Sequence, residues 1–182
     1  MLILLPPSEK KAPEAGPAMA LYTGVLYGAL GWATLTTVAQ ARAQKSIVII
    51  SAKYGVVRPL DHIAPYKAKI NNAAMRGPIS NELDAISAEL IIDCRSSTYQ
   101  GVWTPPAANT VEIKVFSKVD GSKKVITHMS KRTRGEVVRL LLLHTTIAHT
   151  PLDLFNIICA EYECELIENT TNEPWILEVI AR

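Results

Sequence analysis

Cysteine is scarce, charge is nearly balanced, and no apolar run is long. Cys94, Cys159 and Cys164 are odd in number and fit no zinc or thioredoxin spacing. The expectation is three reduced, structural thiols, since a reactive one needs exposure and a lowered pKa. Nineteen basic residues stand against seventeen acidic ones, for a net charge of +2. That is far from a histone-like balance, so any nucleic-acid contact requires a local basic patch. The greasiest stretch, 137–143, is broken by Arg139, and nothing reads as a membrane span. "MLILL" lacks a basic leader and runs straight into "PPSEKK", so no secretory signal is expected and the chain is read as cytoplasmic. GxxxxGKS, GxGxxG, HExxH and GxSxG are all missing. His144 and His149 lie five apart and share no helix face, so neither a metal site nor a cofactor is expected.

What is present is a chain of 182 residues, 48% hydrophobic, which suits one domain with a sizeable core. Four short apolar runs read as strands: "LILL" (2–5), "SIVII" (46–50), "ELIID" (89–93) and "KVIT" (124–127). Their lack of alternation fits strands covered on both faces. "NTVEIKVF" (109–116) alternates and is expected nearer an edge. "YECELIE" (162–168) and "WILEVIAR" (175–182) read as two late strands joined by the turn-rich "NTTNEP". Helices are expected over 18–30 with Gly31 as the stop, over 79–88, over 98–103, over 134–148, and from Pro151 to about 160. The pattern predicts an α/β fold over residues 1–182: a single domain with a central mixed sheet flanked by helices.

Each of the four runs is followed by a polar loop. "LILL" leads to Ser8, Glu9 and Lys10. "SIVII" leads to Lys53, Tyr54 and Arg58. "ELIID" leads to Arg95, Ser96, Ser97 and Tyr99. "KVIT" leads to Ser130, Lys131, Arg132 and Arg134. Ligands in α/β sheets bind beyond the carboxyl ends of strands. If the four run parallel, the loops converge on one basic cleft. The last loop is expected to open a long helix, with Ser130 or Thr133 as cap and exposed N–H groups near Lys131 and Arg132. Arg132, Glu136 and Arg139 share a face of that helix, and an arginine on so apolar a helix needs a carboxylate or an anionic ligand.

"SAKYGVVRPLDHIAPY" (51–66) is the densest stretch. Gly55 allows a tight turn, and Pro59 and Pro65 stiffen the path. Tyr54 and Tyr66 are placed either to stack on a base or to pack. Asp61 and His62 are an acid–base candidate, weakened by being adjacent.

"MLILLPPSEKKA", "LYTGVLYGAL", "SAKYGVVRPLDHIAPYK", "DCRSSTYQGVW" and "THMSKRTRGEVVRLLL" occur in the order of the YaaA family of peroxide-stress proteins, which the chain resembles as a short member. The resemblance implies a cytoplasmic protein that limits oxidative damage under hydrogen peroxide, is linked to lowering free intracellular iron, and binds DNA through a positively charged cleft. Carried onto this chain, that cleft is lined by Ser8, Lys53, Tyr54, Arg58, Tyr66, Lys67, Arg95, Ser96, Lys131, Arg132 and Arg139. Two readings of the cleft stay open. One is nucleic-acid binding, with phosphates neutralised and a tyrosine stacked on an unpaired base. The other is an enzyme acting on a nucleotide or small phosphorylated ligand, held by Lys53, Arg58, Arg95 and Lys131. Its acid or base is Glu9, Tyr54 or Asp61. No membrane partner is expected, and the sequence names no oligomeric partner.

Overall fold

The computed structural model describes residues 1–168 and 172–182. In chain order the elements are β1 (Leu2–Leu5), β2 (Gly16–Pro17), α1 (Ala18–Leu21), α2 (Val25–Leu30), α3 (Thr37–Ser46), β3 (Ile47–Ser51), β4 (Gly55–Val57), β5 (His62–Ile63), α4 (Asn72–Leu83), β6 (Ile91–Asp93), α5 (Ser97–Gln100), β7 (Thr110–Val119), β8 (Ser122–Lys124), α6 (Thr127–Leu143), α7 (Pro151–Cys159), β9 (Cys164–Ile167) and β10 (Trp175–Ile180). The fold is α/β, built on a mixed sheet of eight strands in the order β4-β3-β1-β6-β7-β10-β9, with β8 paired to β7. Strands β3, β1, β6, β7 and β10 are parallel, and β4 and β9 are antiparallel edges. β2 and β5 form a separate two-stranded ribbon.

Apolar residues bury both faces of the inner strands. Ile3, Leu5, Ile47, Ile49 and Ile92 join one core with residues of α1, α2, α3, α6 and α7. Leu2, Leu4, Val48, Ile50 and Ile91 join a second core with Ile79 and Leu83 of α4 and with Trp103. This two-sided burial accounts for the unbroken runs in the sequence.

The expected α6 begins earlier and ends sooner than its periodicity implies. It starts at Thr127, so Ser130 and Thr133 lie inside it, and neither caps it. "KVIT" is therefore not a strand: it is the end of hairpin strand β8, a short loop and the first turn of α6. The hairpin turns on Asp120-Gly121, both at positive φ, 51° and 75°. A two-residue Asp-Gly turn pairs Val119 with Ser122, and it is a sequence signal that the reading of "KVIT" passed over. "NTVEIKVF" is not at an edge. It is β7, between β6 and β10. Its alternation arises because Val111, Ile113 and Val115 enter the core while Glu112, Lys114 and Phe116 line a cavity.

The helix expected over 18–30 is broken into α1 and α2 at Tyr22–Gly24, and α2 does stop at Gly31, at φ 64°. α4 starts at Asn72 rather than 79, capped by the Asn71 side chain, and runs through Pro78. The helix expected over 98–103 is a single turn, α5. α3, whose apolar stripe is only alanines, was not anticipated. α7 opens at Pro151 as expected, under a Thr150–Asp153 capping box. The late strands pair antiparallel. Of the link expected over 169–174, residues 169–171 lie outside the described residues.

Two arginines tie helix ends. Arg139 Nη1 donates to the Leu30 and Gly31 carbonyls at 2.9 and 3.1 Å, closing the carboxyl end of α2. Arg42 does the same for α6, donating to the carbonyls of Leu141 and Leu142 at 3.1 Å. Both satisfy carbonyls left open by the helix. Between α2 and α6, Gly135 has no room for a side chain: a Cβ there would lie 2.1 Å from the Leu26 carbonyl oxygen.

Candidate ligand-binding cavity

A cavity of about 760 Å³ opens beyond the carboxyl ends of β1 and β6. The loop after β1 supplies Pro6, Pro7, Ser8, Glu9, Lys10 and Lys11. The loop after β6 supplies Arg95, Ser96 and Tyr99. β7 outruns β6, pairing with it only through Thr110–Glu112, so Glu112, Lys114 and Phe116 stand as a wall. α6 adds Thr127, Ser130, Lys131 and Arg134, and α2 adds Tyr27. The cavity thus has six basic residues (Lys10, Lys11, Arg95, Lys114, Lys131, Arg134) and two acidic ones (Glu9, Glu112).

These side chains are not equivalent. Arg95 is 1% exposed, and its charge is already spent. Its Nε and Nη2 hold both oxygens of Asp93 at 2.9 and 2.7 Å, and further N–H groups donate to the Tyr99 and Trp103 carbonyls. It stiffens the β6–α5 loop, and a bidentate buried pair does not receive an anion. Ser8 accepts a hydrogen bond from the Gly24 amide at 2.9 Å, which fixes the start of α2. A Cβ at Gly24 would sit 2.2 Å from the Ser8 oxygen. Lys11 donates to the Ser8 carbonyl at 2.7 Å and lies 4.0 Å above the Tyr66 ring. Burial lowers its pKa, against an opposing pull from Glu9. Burial pushes the Tyr99 phenol up to about 12 and the Tyr27 phenol well above its ordinary value. Lys114 makes a long ion pair with Glu112, 3.8 Å. Lys131 has no ion pair among the described residues, and Arg134 reaches only the Ile113 carbonyl, at 3.3–3.4 Å.

Of the residues anticipated for the cleft, the structure brings Ser8, Tyr66, Arg95, Ser96 and Lys131 to this cavity. The other six stand off it. Lys53 is exposed and packs its ammonium 5.0 Å over Tyr54. Tyr54 meets Tyr66 edge-on at 5.5 Å. Arg58 lies near β3, its backbone N–H donating to Asp61 at 2.7 Å, so the Asp61 carboxylate serves that turn rather than His62. Lys67 points to solvent. Arg132 is paired with Glu136 at 2.8 Å. Arg139 caps α2. The expected fourth strand end does not exist, yet its loop still reaches the cavity, because Ser130, Lys131 and Arg134 are placed by the first turns of α6. Lys11, Lys114 and Glu112 were missed. Glu112 and Lys114 are two apart in "VEIKVF", and a polar face on a strand of that length was the signal for them.

The thiols are unequal. Cys94 is buried and its pKa is pushed up to about 12 by burial. Cys159 is exposed. Cys164 is half-buried and raised to about 11, by burial first and then by Cys159. Among the described residues no three His, Cys, Asp or Glu side chains are gathered to hold a metal ion, and no helix is long and apolar enough to cross a membrane.

A family model described as "Peroxide stress protein YaaA" matches residues 7–165, which runs from the loop after β1 to the second residue of β9. The chain belongs to the YaaA family. Similar proteins include a UPF0246 protein of Streptomyces coelicolor, 33% identical across 92% of this chain and 69% of that protein. A UPF0246 protein of Corynebacterium glutamicum is 34% identical across 96% of this chain and 78% of that protein. One from Corynebacterium efficiens is 38% identical across 74% of this chain and 62% of that protein. The matched span of the YaaA family holds every cavity residue named above except Pro6, and it holds all of Arg95, Lys114, Lys131 and Arg134.

Proposed function

We propose that this member of the peroxide-stress family acts in the cytoplasm by taking one phosphate-bearing nucleotide into the cavity, and that in DNA it takes an unpaired one. The observation that carries the reading is the lining: Lys10, Lys114, Lys131 and Arg134 border one cavity with only Glu9 and Glu112 as acidic residues against them. The first turn of α6 opens on the same space, so its N–H groups add to the attraction for phosphate. A volume near 760 Å³ matches a small-molecule pocket and is far too narrow for a duplex. Tyr27, Tyr99 and Phe116 supply apolar surface for a base or sugar.

A second reading, catalysis on a free phosphorylated ligand, is favoured by one observation. Glu112 stands among cations in the same cavity, where a carboxylate can serve as a base.

Fluorescence anisotropy with a labelled single-stranded oligonucleotide tests the proposal. Expected are salt-sensitive binding, tighter binding than to the duplex, and competition by mononucleotides. Binding to neither oligonucleotide nor mononucleotide at low salt overturns it. Turnover of a nucleotide that ceases in Glu112→Gln would establish the second reading.

A further inference from the structure

The hydroxyl of Tyr66 sits in a set of hydrogen bonds whose direction can be worked out by counting protons. Ser51, at the carboxyl end of β3, accepts from the amides of Lys53 and Tyr54 at 3.2 and 3.1 Å. A serine oxygen has two lone pairs, and both are then engaged. Its contact with the Tyr66 oxygen, 2.7 Å, must use the single Ser51 proton, so Ser51 donates and Tyr66 accepts.

Tyr22 is 2% exposed, and its hydroxyl lies 3.0 Å from that of Tyr66. Ser51 is also beside it, but the Ser51 proton belongs to the nearer Tyr66 and the Ser51 lone pairs are taken. Tyr66 is therefore the acceptor left, among the described residues, for the Tyr22 proton. A buried hydroxyl with its proton unpaired is costly, so Tyr22 donates. Its pKa is raised, by burial first and then by this bond, as suits a phenol that keeps its proton.

Tyr66 therefore accepts twice, and its own proton remains unspent. The residue lines the cavity, whereas Tyr22 does not. Lys11 stands 4.0 Å over the Tyr66 ring, with one of its three donors used on Ser8.

We infer that Tyr66 is a proton donor of the cavity, oriented by Ser51 and Tyr22 so that its O–H, beside the Lys11 ammonium, binds a phosphate oxygen. A phenol held in this way recognises acceptors and rejects donors. Two hydroxyls and an ammonium would also steady its oxygen as the proton moves toward the anion. The inference builds on the proposed function in taking the cavity as a phosphate site, but it needs no nucleotide.

The test is calorimetry with inorganic phosphate and, in a second arm, with dAMP. Tyr66→Phe is expected to weaken phosphate binding about tenfold while the thermal midpoint stays within a few degrees. Tyr22→Phe removes one of the two hydroxyls that orient Tyr66 but leaves the Tyr66 proton unspent, so affinity should fall, and by less than in Tyr66→Phe. With the opposite direction, in which Tyr66 donates to Tyr22, the Tyr22→Phe change would release that proton and affinity would rise. A rise in Tyr22→Phe, wild-type affinity in Tyr66→Phe, or no saturable phosphate binding by the unaltered protein overturns the inference. Where Tyr66→Phe unfolds the protein, NMR detection of the Tyr22 hydroxyl proton in the wild type decides instead. A proton on the Tyr22 oxygen directed at Tyr66 supports the inference, and one received from Tyr66 overturns it. Phosphate binding that depends on Tyr66, with dAMP and oligonucleotides inert, would leave this inference standing while the nucleotide reading fell.

Discussion

Lysines on the β7–β10 side of the sheet and lysines at the cavity keep different company. On the β7–β10 side, Lys118 meets Glu163 at 2.6 Å, and Lys123 bridges Glu165 and Glu178 at 3.1 and 2.6 Å. Their charge is cancelled where it stands. At the cavity, Lys10 and Lys131 have no carboxylate in ion-pair reach among the described residues, and Lys114 has a distant one. Arg95 belongs to neither group: it borders the cavity yet is neutralised internally by Asp93. A basic residue is available to an anion only when the fold withholds its partner.

Four substitutions should separate the paired basic residues from the unpaired ones. The largest effect is expected from Asp93→Ala, which strands the Arg95 guanidinium without its carboxylate. Removing one member of a buried pair costs about 3–5 kcal/mol, to be read from urea unfolding. A loss under about 1 kcal/mol would return Arg95 to the ligand-binding group. Next, Lys131→Ala with Arg134→Ala should weaken oligonucleotide binding at least tenfold and flatten its salt dependence by about 0.7 per lost phosphate contact. Stability should hardly move, and an unchanged salt slope would place the phosphates elsewhere. Arg139→Ala reverses that pattern. Opening the end of α2 should cost about 1–2 kcal/mol, with anisotropy curves superimposable on the wild type. The smallest effect is expected from Lys123→Ala, below about 1 kcal/mol as for exposed ion pairs generally, and with binding intact. Were Lys123→Ala to weaken binding as much as the cavity changes do, the contrast between the two edges would be lost.

The sequence was a good guide where burial governs it. "LILL" and "SIVII" are strands because both faces are covered, and Pro151 opens a helix because Thr150 and Asp153 cap it. It misled where one residue pattern serves two structures. Alternation along "VEIKVF" marks a half-buried edge in most sheets, but here the polar half faces a cavity at the sheet's centre. The β-branched "KVIT" straddles a hairpin and a helix start, and the Asp-Gly turn four residues upstream outweighs it. For the site, the loops after β1 and β6 could be anticipated from topology alone. Whether a given arginine was free or spent could not, since Arg132 and Arg139 differ from Arg134 only in what the fold sets beside them.

The missing side chain at Gly135 has a mechanical consequence. α2 and α6 approach backbone to backbone at that point, and Arg139 locks them again one turn on. Tyr27 rides on one of these helices, and Lys131 and Arg134 on the other. The two walls are therefore a calliper with its screw at residue 135: Gly135→Ala would pry the helices apart and widen the gap that an anion at the proposed site would have to bridge.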